Sequence, residues 1–127
     1  MQRENEASNA IIGAAIEVHR TLGGPGLLES VYEEALTFEL IDRGISVERQ
    51  KAVPILYKGR TLSTPLRLDM LVAECVIVEC KATQDDHEIF KVQALTYLRL
   101  TGLKLALVIN FNKRMVKQGV YRVVNNR

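Results

Sequence analysis

Two acids and a lysine lie close together in the middle of the chain, at Asp69, Glu79 and Lys81. On a β-strand alternate side chains share a face, so Glu79 and Lys81 point to one side and Cys80 points to the other. A tight turn at residues 73–75 predicts a hairpin in which Asp69 lies directly opposite Glu79. The three charged side chains would then converge, whereas a shift of one residue in register would separate them.

The chemistry expected of this arrangement is metal-assisted hydrolysis at phosphorus. Two adjacent carboxylates repel each other unless a cation lies between them, and their hard oxygens suit Mg²⁺ or Mn²⁺. Such a cation polarises a phosphoryl oxygen and lowers the pKa of bound water. We therefore predict that Asp69 and Glu79 bind the metal, together with the main-chain carbonyl of Cys80. Lys81 would position the attacking water or neutralise charge in the transition state.

A purely structural interpretation is that these residues form surface ion pairs, Glu79 with Lys81 and Asp69 with Arg67. Their residue types are common, so the spacing alone does not distinguish the two interpretations. The preceding residues 76–78, Val-Ile-Val, favour a functional site. They are typical of a buried strand, and a buried strand that ends in Glu-x-Lys brings charge to the rim of the core.

Two polar residues on predicted helices are further candidates, Glu29 and Gln93. Glu29 shares a helical face with Tyr32 and Leu36, so its carboxylate would point inward, although the helix dipole also explains an acid in the first turn. Gln93 falls inside the predicted apolar stripe of the third helix. An inward amide needs partners, so Gln93 is either a hydrogen-bonded core residue or part of the site. The predicted stripe is Ile89, Val92, Gln93, Thr96, Tyr97 and Leu100.

The histidines and cysteines provide weaker candidates. His87 is expected to be exposed in the first turn of the third helix, and His19 lies near the end of the first helix, where a cation suits the dipole. Either could act as an acid or base. Cys75 and Cys80 are predicted to be buried, and no second Cys/His pair completes a zinc site. The sequence contains no Ser/His/Asp set and no phosphate-binding glycine loop.

The pattern of apolar residues predicts the element order ααβββαβ(β), an α/β (α+β) fold with a mixed sheet flanked by helices. Gly44 and Gly102 are expected to cap helices, and Lys58-Gly59 to form a hairpin turn. Asp85 and Asp86 are candidate N-caps of the third helix. Helices are predicted at 8–22, 27–43 and from the N-cap to 100, and strands at 47–57, 61–72, 76–80, 103–111 and 119–124; Pro54 indicates an edge position or a bulge.

Composition indicates one domain, residues 1–127, with disorder expected only at residues 1–6 and 125–127. The chain is 47% apolar and 25% charged, which is ordinary for a globular protein. No signal peptide or membrane span is predicted, so a cytoplasmic location is expected.

Charge is distributed unevenly along the chain. The net charge of +2 does not by itself indicate a nucleic-acid-binding protein. The C-terminal quarter, however, is basic and contains no acid, so it forms either a solvated surface or a phosphate-binding face. Its bases are Lys104, Lys113, Arg114, Lys117, Arg122 and Arg127.

Residues 26–32, Gly-Leu-Leu-Glu-Ser-Val-Tyr, resemble the signature of the GxxExxY proteins, a family placed in the PD-(D/E)xK nuclease superfamily. The resemblance covers nearly the whole chain, since several short motifs follow in the same order. They are residues 11–19, 57–60, 67–69, 78–82, 93–98 and 109–111. Phe90 departs from the family pattern, which often has a polar residue or histidine there, and Val92 replaces a small one.

The resemblance implies a restriction-endonuclease-like fold and a nuclease that acts on DNA, or less typically RNA, with Mg²⁺ or Mn²⁺. Asp69 and Glu79 would bind the metal, Lys81 would assist catalysis, and Glu29 would complete the acidic cluster. Gln93 would be the helix glutamine seen in many relatives. Because the chain lacks a separate DNA-reading module, a homodimer or a partner subunit is expected. The alternatives are a non-catalytic binding module with this fold and a toxin–antitoxin or defence accessory protein that acts through protein contacts.

Overall fold

A computed structural model describes residues 1–85 and 87–126. Asp86 and Arg127 lie outside these residues, as does the N-cap role predicted for Asp86. The helices are α1 (Gln2–Thr21), α2 (Glu29–Asp42) and α3 (Glu88–Thr101), with a 3₁₀ helix at Val116–Gly119. The strands are β1 (Val47–Val53), β2 (Leu56–Tyr57), β3 (Arg60–Thr61), β4 (Leu66–Val72), β5 (Val76–Lys81), β6 (Leu105–Asn110) and β7 (Val120–Val124).

Five strands form one mixed sheet in the order β1-β4-β5-β6-β7, and β2 pairs with β3 in a separate hairpin. The β5–β6 pair is parallel and the other neighbours are antiparallel. Helix α3 connects the two parallel strands, as a crossover must. The predicted fold class, a restriction-endonuclease-like mixed sheet flanked by helices, is confirmed.

The core lies on both faces of this sheet, and β6 shows why. Leu105, Leu107 and Ile109 pack with α1 and α2, whereas Ala106 and Val108 pack with α3. All six residues of β6 are buried. The continuous apolar run therefore predicted correctly a strand covered on both sides.

The first six residues were wrongly expected to be disordered, because α1 begins at Gln2. Ala7 and Ile11 are buried in the core and hold the first turns of the helix in place. Arg3 adds a hydrogen bond from Nη2 to the carbonyl oxygen of Ala73, at 3.2 Å. The polar composition of residues 1–6 did not predict a helix, because the apolar residues that hold this turn in place, Ala7 and Ile11, follow it in the sequence.

The predicted apolar stripe of α3 was also wrong in its orientation. Ala94 and Leu98 are buried, while Ile89 and Val92 are exposed. Apolar residues occur around most of this helix, so periodicity alone could not select the buried face. The small Ala94 lies against the sheet, and Gly102 ends the helix in the left-handed conformation (φ 75°) as predicted. The residue at the N-cap is His87, not Asp85.

The hairpins agree with their predicted turns. Lys58 and Gly59 both have positive φ, 49° and 80°, as a type I′ turn requires. Strand β1 stops at Val53 rather than continuing to Tyr57, and it forms an edge of the sheet, which agrees with the edge position indicated by Pro54. Within the described residues, no helix is both long and apolar enough to cross a membrane.

Gly119 allows the 3₁₀ helix to approach the end of β6, which generates a prediction. A Cβ atom at this position would overlap the carbonyl oxygen of Asn110 and lie 2.9 Å from Cγ of Lys113. We expect Gly119→Ala to lower the free energy of unfolding by about 1–3 kcal/mol, measured by urea denaturation. Gly13→Ala is the matched control, since its Cβ would meet only the flexible end of Arg43. Equal stability of the two variants would contradict the steric argument.

Candidate active site

Asp69 and Glu79 lie opposite each other where β4 and β5 separate. The hairpin pairs Met70 with Val78, which is the predicted register. At the next position each carboxylate binds the main chain of the other strand. Glu79 Oε2 accepts a hydrogen bond from the Asp69 N–H at 2.9 Å, and Asp69 Oδ2 accepts one from the Cys80 N–H at 2.9 Å. Side chains thus replace the strand-to-strand hydrogen bonds at this point.

The same row of the sheet is irregular in β1. Gln50 lies between the pairs Arg49–Met70 and Lys51–Leu68 and has a left-handed φ of 52°. On β4, Leu68 packs on the α3 side, whereas Met70 packs with α1 and α2. Residues two apart on a regular strand would share a face. The regular pairing of three strands is therefore interrupted along one line, at the level of Asp69.

Burial and mutual repulsion make both carboxylates hard to ionise. Glu79 is only 4% exposed, and burial, followed by the charge of Asp69, raises its pKa to about 8. Burial also raises the pKa of Asp69, with the charges of Glu33 and Glu29 acting in the same direction. Hydrogen bonds from the main chain and the charge of Lys81 oppose these effects. Without a cation, the pocket therefore disfavours the charged form of both acids.

Lys81 projects towards α3. Its Nζ atom lies 4.7 Å from the centre of the Phe90 ring, within range of a cation–π contact. Among the described residues Lys81 forms no ion pair with Glu79, and Arg67 forms none with Asp69; Arg67 donates instead to the carbonyl of Gln50. Neither of the two ion pairs that the purely structural interpretation predicts is thus present among the described residues.

The side chain of Cys80 is not positioned as a metal ligand. It is buried in the core, and burial raises the pKa of its thiol well above the ordinary value. Since only a thiolate binds metal well, the thiol is unsuited to this role, and the contribution predicted for the main-chain carbonyl stays a prediction. Cys75 is likewise free and buried.

On α2, the acid that points inward is Glu33, not Glu29. Glu29 is exposed, which corrects the inward orientation predicted for it, although its charge still acts on Asp69. Glu33 is buried and accepts hydrogen bonds from Arg49 Nε at 2.8 Å and from Gln50 Nε2 at 3.0 Å. It holds the irregular segment of β1 in place. Its spacing from Tyr32 and Leu36 did not suggest burial, since charged residues rarely occupy a core position.

Gln93 is exposed and is not the inward amide predicted from the apolar stripe. It lies between Phe90, which contacts Lys81, and Tyr97, whose pKa is raised by burial and by the charges of Glu79 and Asp69. These three positions are three and four residues apart, so they follow one side of α3. Gln93 is therefore at the solvent edge of the charged pocket, and Tyr97 is a neighbour that sequence reasoning had placed only in the apolar stripe.

The two histidines occupy different surroundings. His87 is exposed and contacts the edge of the Phe90 ring at 5.4 Å between centroids. His19 is buried, with Nε2 3.0 Å from the carbonyl oxygen of Lys113. A residue that sequence reasoning missed is Asn110, the parallel partner of Lys81. Its amide accepts from the Thr83 N–H at 3.2 Å and donates to the Thr83 carbonyl at 3.0 Å, which fixes the chain just after Lys81.

The acidic pair fits a hard divalent cation. Each carboxylate uses one oxygen for a main-chain N–H, and no hydrogen bond to a described residue occupies its second oxygen. Within residues 1–85 and 87–126 no three His, Cys, Asp or Glu side chains are grouped as a ready metal site. Mg²⁺ commonly binds through one or two carboxylates and otherwise keeps its water, so two carboxylates and a carbonyl are a suitable set.

A family model described as the PD-(D/E)XK nuclease superfamily matches residues 5–123. The chain belongs to this superfamily. Its members usually use divalent metals, and membership supports a nuclease-type function with nucleic acid as partner. No curated protein and no solved structure matches the chain. The family model spans both the α2 acids and the strand pair that carries Asp69 and Glu79.

The raised pKa of Glu79 predicts a pH-dependent stability of the metal-free chain. The native state keeps a proton on Glu79 up to about pH 8, whereas the unfolded chain loses it near 4.5. The stabilising contribution is therefore complete below pH 4.5 and is lost as pH rises through 8. We expect Glu79→Gln to flatten this decline in urea denaturation measured from pH 4.5 to 9. Glu74→Gln removes the same charge from an exposed side chain and should retain the wild-type dependence on pH. A wild-type stability that does not change with pH would contradict the prediction.

The ion pair of buried Glu33 with exposed Arg49 predicts a difference between two adjacent residues of α2. Glu33→Gln weakens the hydrogen bonds to Arg49 and Gln50 and leaves the arginine uncompensated. We expect it to lower the free energy of unfolding by about 1.5–3 kcal/mol. Glu34→Gln changes the same charge on an exposed side chain and should have an effect within about 0.5 kcal/mol. Thermal denaturation of both variants measures this difference, and equal melting temperatures would contradict the prediction.

Proposed function

We propose that the protein is a metal-dependent nuclease that hydrolyses phosphodiester bonds in DNA, or less typically in RNA. The observation that carries this proposal is the pairing of buried Glu79 with half-buried Asp69, held across two separating strands in a chain of a nuclease superfamily. The pair resists ionisation, and a cation would relieve its repulsion. Their hydrogen bonds to the main chain fix both acids, but they do not offset the cost of ionising them at the rim of the core.

In the proposed mechanism Asp69, Glu79 and the carbonyl of Cys80 hold Mg²⁺ or Mn²⁺. When bound, such an ion polarises the phosphoryl oxygen and acidifies a water molecule. Asp69 and Glu79 keep a fixed position because each is hydrogen-bonded to the main chain of the opposite strand. They would therefore need little rearrangement when the substrate binds, which lowers the cost of reaching the transition state.

Lys81 supplies the positive charge of the site. Its contact with Phe90 restrains the ammonium group beside the carboxylates, where it orients the attacking water or stabilises charge on the phosphorus. Gln93, at the solvent edge between Phe90 and Tyr97, is placed to steady Lys81 or the substrate. Glu29 contributes negative charge from the start of α2 and supports the metal from outside the buried pair.

We further propose that the chain is a GxxExxY protein, because the motif has a structural role here. The Tyr32 hydroxyl donates to the Gly24 carbonyl at 2.7 Å and accepts from the Leu27 N–H at 3.2 Å. Gly26 has a φ of 107°, which favours glycine. The tyrosine ring stacks on Phe111, 4.7 Å between centroids. Together these contacts position Glu29 at the start of α2.

The alternative function is an accessory module that acts through protein contacts. The observation that favours it is an exposed apolar face of α2, formed by Val31, Phe38 and Ile41. A partner subunit or a second copy of the chain could cover this face. A cytoplasmic location and a homodimer or partner subunit stay predictions of the sequence.

The nuclease proposal is tested by incubating the protein with single- and double-stranded DNA and RNA in Mg²⁺ or Mn²⁺. We expect cleavage that chelation abolishes and that Lys81→Ala lowers by about 10²–10³-fold, since a preorganised charge in the transition state has this effect. Lys58→Ala, which removes an exposed lysine in the β2–β3 hairpin, should retain full activity. Equal products from wild type and Lys81→Ala would mean a contaminating nuclease and would remove the support for this mechanism.

A further inference from the structure

A cleft of about 510 Å³ lies outside the carboxylate pair, between the C-terminal end of α1 and the segment that follows β6. We call it the basic cleft. The charged residues that line it are all bases, Arg20 from α1 and Arg114 and Lys117 from the segment after β6, and His19 of α1 lies beside them. Ile16 and Met115 contribute apolar surface, and Met115 is 61% exposed.

The basic cleft opens at the same end of strands β5 and β6 as the candidate active site, on the α1 side of the sheet, whereas Lys81 projects towards α3. Strands β5 and β6 are parallel, so Lys81 and Asn110 end side by side. The Phe111 N–H donates to the Lys81 carbonyl at 2.8 Å, which attaches the segment after β6 to the end of β5. Two residues later the Lys113 carbonyl lies 3.0 Å from His19 Nε2. Residues 111–113, hydrogen-bonded to Lys81 at one end and to His19 at the other, therefore connect the end of β5 to the wall of the cleft.

The charge of the cleft is available to a ligand. Arg114 and Lys117 are exposed, and within residues 1–85 and 87–126 neither of them forms an ion pair. Arg20 pairs with Glu17 at 2.7 Å, so its charge is already shared. Residues 102–126 contain no acid. This part of the surface thus remains positive although the whole chain carries a net charge of only +2.

The candidate active site offers little positive charge to a polyanion. Lys81 is the base whose charge acts on both Asp69 and Glu79, Glu29 and Glu33 add negative charge, and Arg49 is already paired with Glu33. A nucleic-acid strand that reaches this pocket needs positive charge beside it. The basic cleft supplies that charge at the same end of strands β5 and β6. Its apolar surface suits the sugars and base faces of a nucleic-acid strand.

We infer that the basic cleft binds the phosphate backbone of the nucleic-acid strand next to the cleaved bond. This inference rests on the proposed nuclease function and identifies where the substrate is held. Arg114 and Lys117 would contact phosphates without reading the base sequence. His19 is a positioning residue, because its ring holds the Lys113 carbonyl and thereby the segment that carries both bases.

The test compares two double charge reversals in the full chain. Arg114→Glu with Lys117→Glu alters the cleft. Arg99→Glu with Lys104→Glu is the matched control. Both residues are exposed and lie near the start of β6, at the opposite end of that strand from the cleft. Binding of labelled single- and double-stranded DNA is followed by fluorescence anisotropy in Ca²⁺ at several salt concentrations. Thermal shift with Mn²⁺ reports on the metal site separately.

We expect the cleft variant to bind DNA at least 10-fold more weakly than the control, with a salt slope shallower by about two units and an unchanged Mn²⁺ shift. Equal affinities of the two variants would overturn the inference, as would a wild-type chain that binds no nucleic acid. Equally tight binding of polyglutamate would also overturn it, because the cleft would then select any polyanion.

Cleavage distinguishes this inference from the proposed function. If the wild-type chain cleaves DNA while both variants bind equally well, the nuclease proposal stands and the role of the cleft in binding is refuted. If the cleft variant loses binding but the wild type cleaves nothing in any metal, the role of the cleft is supported and the nuclease proposal is refuted.

Discussion

The cost of holding two carboxylates, buried Glu79 and half-buried Asp69, at the rim of the core governs the arrangement of this site. Asp69 and Glu79 occupy the point where β4 and β5 would otherwise continue their hydrogen-bonded pairing, and each takes over one main-chain donor of the opposite strand. Those two hydrogen bonds keep the acids in place but do not remove the cost of ionising them: burial first, and then the charge of Asp69, raises the pKa of Glu79. The cation that we propose for this pocket would lower that cost.

The rest of the fold compensates for the irregularity that this pair introduces. Gln50 adopts an unusual backbone conformation at the level of Asp69. The carboxylate of Glu33 holds it in place by accepting hydrogen bonds from the side-chain amide of Gln50 and from Arg49. On the other face, Phe90 restrains Lys81. Helices α2 and α3 thus contact this end of the sheet from opposite faces, α2 at β1 and α3 at the end of β5.

Much of this arrangement could be predicted from the sequence because it depends on local patterns. The register of the β4–β5 hairpin followed from the length of its turn, and the burial of β6 followed from an unbroken apolar run. The orientation of α3 could not be predicted, since apolar residues on several sides offered more than one buried face. The burial of Glu33 escaped prediction for another reason: its partners, Arg49 and Gln50, come from a different element, and only tertiary structure brings them together.

The position of Cys80 has a consequence for how this protein can be handled. Cysteines beside catalytic groups are often sites of alkylation or oxidation, but these reactions need an accessible thiolate. Here the sulfur faces the apolar core, 1% of the residue is exposed, and burial raises the pKa of the thiol. The thiol between Glu79 and Lys81 is thereby shielded from thiol-directed reagents as long as the chain stays folded.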